Sequence, residues 1–134
     1  FREFKKVGVA FYLTKSLKLK KIHKSIKNNT NFIHVDIVDK SFSKSKVINK
    51  IDMFKEIKSI WPNQEVHAHV MSKRPSKWIK KIVNHCDLIF LHYEASEDLN
   101  KLQIMLSQAE VLQISQMLLT VELIWYLVFH MMMI

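Results

Sequence analysis

The sequence predicts an α/β chain built on a parallel sheet. Short apolar, β-branched runs alternate with segments of helical periodicity. The alternation recurs at roughly 20–35-residue spacing, the length of a βαβ unit. Turn signals at Asn28–Asn31 and Trp61-Pro62-Asn63 punctuate it. Parallel strands joined by helices take right-handed crossovers. Such a series closes into a barrel or stays an open sheet, and alternation alone admits both.

Val7–Leu13 is the first apolar run and the first expected strand. Lys15–Lys27 spaces Leu17, Leu19, Ile22 and Ile26 along one helical stripe with a lysine-rich outer face. Phe32–Val38 is apolar and β-branched apart from His34 and Asp36, which predicts a buried strand ending near Asp36 or Ile37. Asp39–Lys50 is polar and reads as a loop. Asp52–Ile60 sets Met53, Ile57 and Ile60 on one helical face, and Trp61-Pro62 ends it. Glu65–Met71 is the third strand. Pro75 opens a helix over Ser76–Asn84, where its missing N–H leaves no bond unmade. Asp87–His92 is the fourth strand.

Residues 102–134 form a divergent apolar segment. Leu102–Gln108 is expected as helix, Glu110–Ile114 as strand, Val121–Leu127 as helix and Val128–Ile134 as strand. Met117–Ile134 is 18 mostly apolar residues. Glu122 and His130 interrupt it and no basic residue flanks it, so a core segment is expected in preference to a membrane span.

Composition narrows the function classes. The chain has 134 residues, suited to one domain. Its one cysteine, Cys86, forms no internal disulfide, and no cleavable leader stands at Phe1–Leu13, so a cytoplasmic setting is expected. Cys86 reads as a small buried hydrophobe. All 21 Lys and Arg fall within residues 1–101, against ten acids. The lysines are spread over several segments, which suits a solvated surface better than a nucleic-acid stripe. Gly8 is the only glycine, so no glycine-rich phosphate loop is present.

His34-Val35-Asp36 is the sharpest local feature. Residues i and i+2 of a strand share a face, so an imidazole and a carboxylate converge. In parallel α/β proteins the C-terminal strand ends carry the sites. His67/His69 and His92/Glu94 repeat the relation on the next two strands. Burying that many polar groups without purpose is costly. Imidazoles and carboxylates around a polar pocket suit Zn, Fe or Mn.

Three ordered segments then carry a family resemblance. Phe32-Ile33-His34-Val35-Asp36-Ile37-Val38-Asp39, followed by Phe42, resembles the W-I-H-V-D-V-M-D-G-x-F segment of ribulose-phosphate 3-epimerases. His69-Val70-Met71 with Pro75 is similar to that family's H-L-M-V-x-x-P. Leu91-His92-Tyr93-Glu94-Ala95 resembles its V-H-x-E-A. Thr120-Val121-Glu122, Tyr126-Leu127 and Met131–Met133 follow it faintly.

The resemblance implies a (β/α)8 TIM barrel, present here as a single incomplete barrel domain of about six parallel strands over residues 1–134. It implies one divalent metal ion held by His34, Asp36 and His69, with Asp36 also catalytic. Met71, His92 and Glu94 fall in the substrate pocket, and His67 has no ligand counterpart. The implied reaction interconverts ribulose 5-phosphate and xylulose 5-phosphate. A carboxylate takes the proton at C3, a metal draws off the developing charge, and a second acid reprotonates the other face.

The departures shape the expectation. Val38 replaces a site methionine, Lys40 a glycine, and Lys44-Ser45 a Pro-Asn pair. Phe11-Tyr12-Leu13 stands where the family has S-I-L-S, so a substrate-contacting serine is missing. The family's fourth ligand, an aspartate on strand seven, and its phosphate loops have no match before Ile134. A closed barrel takes at least about 200 residues. An inactive N-terminal portion is therefore expected, with a phosphorylated sugar as its substrate class. Exposed sheet edges would favour a homo-oligomer. No nucleic-acid or membrane partner is expected. The alternatives are a basic nucleic-acid-binding domain, which salt would release from its target, and a small membrane-associated protein using residues 117–134, which would need detergent for extraction.

Overall fold

The structure is a computed structural model. It describes residues 6–13, 17–43, 50–92, 94–98, 100–102 and 104, and the backbone of 114–117. The order is β1 (Gly8–Tyr12), α1 (Leu19–Ile26), β2 (Phe32–Val38), α2 (Met53–Ile60), β3 (Glu65–Met71), α3 (Ser76–Ile82), a 3-10 turn (Val83–His85), β4 (Leu88–His92) and β5 (Ile114–Met117).

The five strands lie side by side in chain order, and every pair is parallel. That order has no reversal. A doubly wound open sheet turns back at a switch point, whereas a barrel adds each strand beside the last. The winding is that of a partial TIM barrel. About six strands were expected, and the described residues contain five. The fifth occupies Ile114–Met117, a few residues past the expected Glu110–Ile114. Its position follows from register against β4, where Ile89 faces Ile114 and His92 faces Met117. Apolarity along the sequence does not encode that register. The strand expected at Val128–Ile134, the helix at Val121–Leu127 and most of the apolar stretch 117–134 lie outside the described residues. Among the described residues no helix is long and apolar enough to cross a membrane.

Alternation along the strands sorts the two faces. One carries Phe11, Ile33, Val35, Ile37, Val66, Ala68, Val70, Ile89 and Leu91, all buried. The helices cover it with Leu19, Phe54, Ile57, Ile79 and Ile82. Trp61, which follows α2, is fully buried there, and its indole N–H donates to the Lys27 carbonyl at 2.9 Å. That bond joins the end of α2 to the turn after α1.

The opposite face is polar and aromatic. In register, Tyr12 lies beside Asp36, Asp36 beside His69, and His69 beside Phe90. Gly8 is on this face for a steric reason. A Cβ there would meet the Phe32 ring at 2.0 Å. The only glycine thus makes room for an aromatic ring.

Two loop anchors stiffen the strand ends. Asp39 follows β2, and its carboxylate accepts from Trp78 Nε1 at 2.7 Å, Ser72 Oγ at 3.3 Å and the Ser41 amide at 2.8 Å. At the other end of the sheet, Asp87 accepts from Lys58 Nζ at 2.7 Å and from the Val66 amide at 2.8 Å.

Candidate metal centre

Asp36 lies two residues before the end of β2, and His69 two before the end of β3. Each is therefore near the C-terminal edge of the sheet. His34, Asp36 and His69 each present a ligand atom within 4.8 Å of the others. His69 Nδ1–H donates to Asp36 Oδ1 at 2.9 Å, and His34 Nε2 stands 3.4 Å from the same oxygen. The expected convergence of His34 with His69 is present. Asp36 is 1 % exposed and His69 4 %.

Burial pushes the Asp36 carboxyl up, but the adjacent imidazoles of His34 and His69 outweigh it and hold it below the usual carboxylate range. Burial and the neighbouring Asp36 push the Tyr12 phenol above its ordinary value. Tyr12 therefore keeps its proton beside an ionised carboxylate. Strand register identifies this residue as a site neighbour. The sequence showed it only as part of a departure from the family's first strand.

His67 points to a different partner. Its Nε2–H donates to Glu65 Oε2 at 3.0 Å, and its ring stacks on Phe32 at 4.5 Å. Burial is the main cause that holds its pKa below the ordinary histidine value. Met71 is half-buried at the end of β3, in register with Val38. His92 is buried with its Nε2 2.7 Å from His69 Nε2, and its Nδ1 is 3.7 Å from Glu94 Oε2. Burial and the adjacent His69 hold the His92 pKa down. Phe42 covers His92, its ring 4.6 Å away. The sequence matched Phe42 to a motif but assigned it no task. Cys86 is the buried hydrophobe expected, and burial pushes its thiol up to about 12.

The donor set fits a divalent ion. His34 Nε2 and Asp36 Oδ2 are buried with no hydrogen-bond partner. Buried polar atoms are ordinarily satisfied, so a purely structural His–Asp contact leaves these two unexplained. Two donors at about 2.0–2.2 Å from one ion stand at most about 4.4 Å apart. The present spread reaches that range with a small side-chain adjustment. Two imidazoles and one carboxylate suit Zn, Fe or Mn.

A parallel, singly wound α/β sheet with this cluster at its C-terminal edge defines a partial barrel with a candidate metal centre. Comparison at the level of families then agrees with the motifs. The family model described as Ribulose-phosphate 3 epimerase family matches residues 10–122 of the 134. The chain belongs to the ribulose-phosphate 3-epimerase family. No individual curated protein matches it.

Proposed function

We propose that this chain carries the metal-binding and proton-abstracting half of a sugar-phosphate 3-epimerase. Its substrate would be ribulose 5-phosphate, with xylulose 5-phosphate as the product of full inversion. His34, Asp36 and His69 would hold one Zn, Fe or Mn ion. The observation that supports this most is the pair of orphaned buried donors, His34 Nε2 and Asp36 Oδ2, inside a three-residue cluster. A divalent ion there would supply positive charge against the charge that develops on the substrate's carbonyl oxygen.

Asp36 would take the C3 proton. Its contacts with His34 and His69 keep it ionised at neutral pH and so able to accept. The same contacts lower its basicity, which limits its rate as a base. Tyr12, protonated and in register with Asp36, would donate to a substrate oxygen. The net charge of +9 favours an anionic, phosphorylated substrate. Among the described residues β1 pairs on one side only. We read that edge as a place where copies of the chain associate.

Inversion needs an acid on each face of the carbon. Among the described residues, the cluster contains one carboxylate, Asp36. Asp36 would take a proton and return it to the same face. The expected result is slow deuterium exchange at C3 of ribulose 5-phosphate in heavy water, without measurable xylulose 5-phosphate. The assay is run with added Zn, Fe or Mn. Exchange should disappear in Asp36→Asn. Exchange that persists in that variant would sink Asp36 as the base. Conversion to xylulose 5-phosphate as fast as exchange would show a second acid at work.

A further inference from the structure

His69 uses both ring nitrogens. Nδ1 bonds Asp36 Oδ1 at 2.9 Å, and Nε2 lies 2.7 Å from His92 Nε2. An ionised carboxylate only accepts, so the His69 proton is on Nδ1. Nε2 of a neutral His69 then accepts, and His92 Nε2–H must donate. That leaves a lone pair on His92 Nδ1. This atom is buried without a hydrogen-bond partner, and the nearest acid, Glu94 Oε2, is 3.7 Å away. A lone pair facing a carboxylate is the wrong polarity for a bond. The resting arrangement is thus unsatisfied at its outer end.

From this geometry we propose that His92, backed by Glu94, is a positioning residue that sets which nitrogen of His69 faces a divalent cation. The inference rests on the metal reading above. When His69 gives the Nδ1 lone pair to a cation, its proton belongs on Nε2. The contact with His92 then reverses, and His69 Nε2–H donates to His92 Nε2. The His92 proton moves to Nδ1, where Glu94 accepts it. The two rings carry two protons between them before and after, so the pair neither gains nor loses one. The orphaned nitrogen acquires an acceptor only in the cation-bound arrangement. Metal-ligating histidines ordinarily donate their second N–H to an acceptor that fixes the ring. Here that acceptor is a second imidazole.

The rings are held for this task. The His69 and His92 rings lie edge to edge, centroids 4.8 Å apart with 25° between planes, and Phe42 packs against His92 at 4.6 Å. The Phe42 amide in turn donates to the Asp39 carbonyl at 2.9 Å, so the Asp39 turn seats the aromatic cover. His92 is 3 % exposed and its Nε2 is turned to His69. That orientation suits support of a ligand.

The test is zinc titration of the full chain by calorimetry, with ring-nitrogen NMR as a second readout. Loss of an outer partner should weaken zinc binding about 10–100-fold in His92→Ala. His92→Gln offers an amide oxygen to His69 Nε2–H and should recover most of that loss. His67→Ala removes another buried imidazole outside this chain of contacts and should bind zinc as wild type does. In the wild-type chain, the His69 proton should move from Nδ1 to Nε2 as zinc is added. This second readout does not depend on any variant folding. Wild-type zinc affinity in His92→Ala, or a His69 tautomer unchanged by zinc, overturns the inference while leaving the metal site standing. A wild-type chain that takes up no zinc overturns the metal reading and the inference with it.

Discussion

His69 Nδ1 stands 2.9 Å from Asp36 Oδ1 across 33 positions of sequence. The contact is made because β2 and β3 pair in parallel with Asp36 directly beside His69. Strand register, more than either residue alone, builds the site. A change that shifts the register of β2 should therefore disturb it.

Gly8→Ala crowds the same face of the sheet at its β1 edge. The new Cβ would lie 2.0 Å from the Phe32 ring, which stacks on His67. The ring must leave that stack or β1 must move away. Overpacking of this kind costs about 1–3 kcal/mol. Chemical denaturation should report a loss in that range, and Phe32→Leu in the same chain should restore part of it. An unchanged midpoint in Gly8→Ala would show that the ring is not seated there.

Asp39 gives a pH dependence. Burial acts to raise its pKa, but bonds from Ser41, Trp78 and Ser72 hold it below the usual range. A depressed folded-state pKa stabilises the fold above the unfolded-state value of about 3.9. That stability is lost as pH falls through the folded-state value. Asp39→Asn should therefore be less stable than wild type near pH 7, and the gap should close in strong acid. Trp78→Phe, which removes the 2.7 Å donor, should cost about 1.5–3 kcal/mol at neutral pH. A gap that is constant from neutral to acid pH would contradict the assignment.

Asp87 and Lys58 separate an ion pair from a backbone anchor. Their contact is 2.7 Å, but both side chains are more than a third exposed, at 41 % and 37 %. Such pairs are worth about 0–1 kcal/mol, so Lys58→Met should be nearly neutral. Asp87→Ala also removes the acceptor for the Val66 amide. Leaving that donor unmade should cost about 1–3 kcal/mol. Equal losses in the two variants would mean that the ion pair is the larger part.

Much of this fold could be read along the chain, and particular residues show where reading stopped. β2 and β3 can be bounded to within a residue or two from the sequence, because apolar residues at every second position mark the face of each that packs under the helices. The shared face of His34 and Asp36 followed from the period of two. The turn of His92 toward His69, the place of Tyr12 beside Asp36 and the position of β5 were not legible. Each depends on how one strand slides against its neighbour, which no single segment records. The Trp78–Asp39 bond joins positions 39 apart on two elements, so no local spacing marks it. Glu94 was matched by motif, but its distance from His92 is a property of the folded loop.

The central claim is that His34, Asp36 and His69 form one divalent-metal site. Zinc titration of the full chain, with wild type compared to His34→Ala, Asp36→Asn and His69→Ala, tests it most directly. The chain has seven histidines, so wild-type binding alone would not locate the ion. One zinc per chain is expected in wild type. Each substitution should weaken that binding by more than the about 10–100-fold that loss of an outer partner brings. Equal affinity in all four proteins would contradict the site.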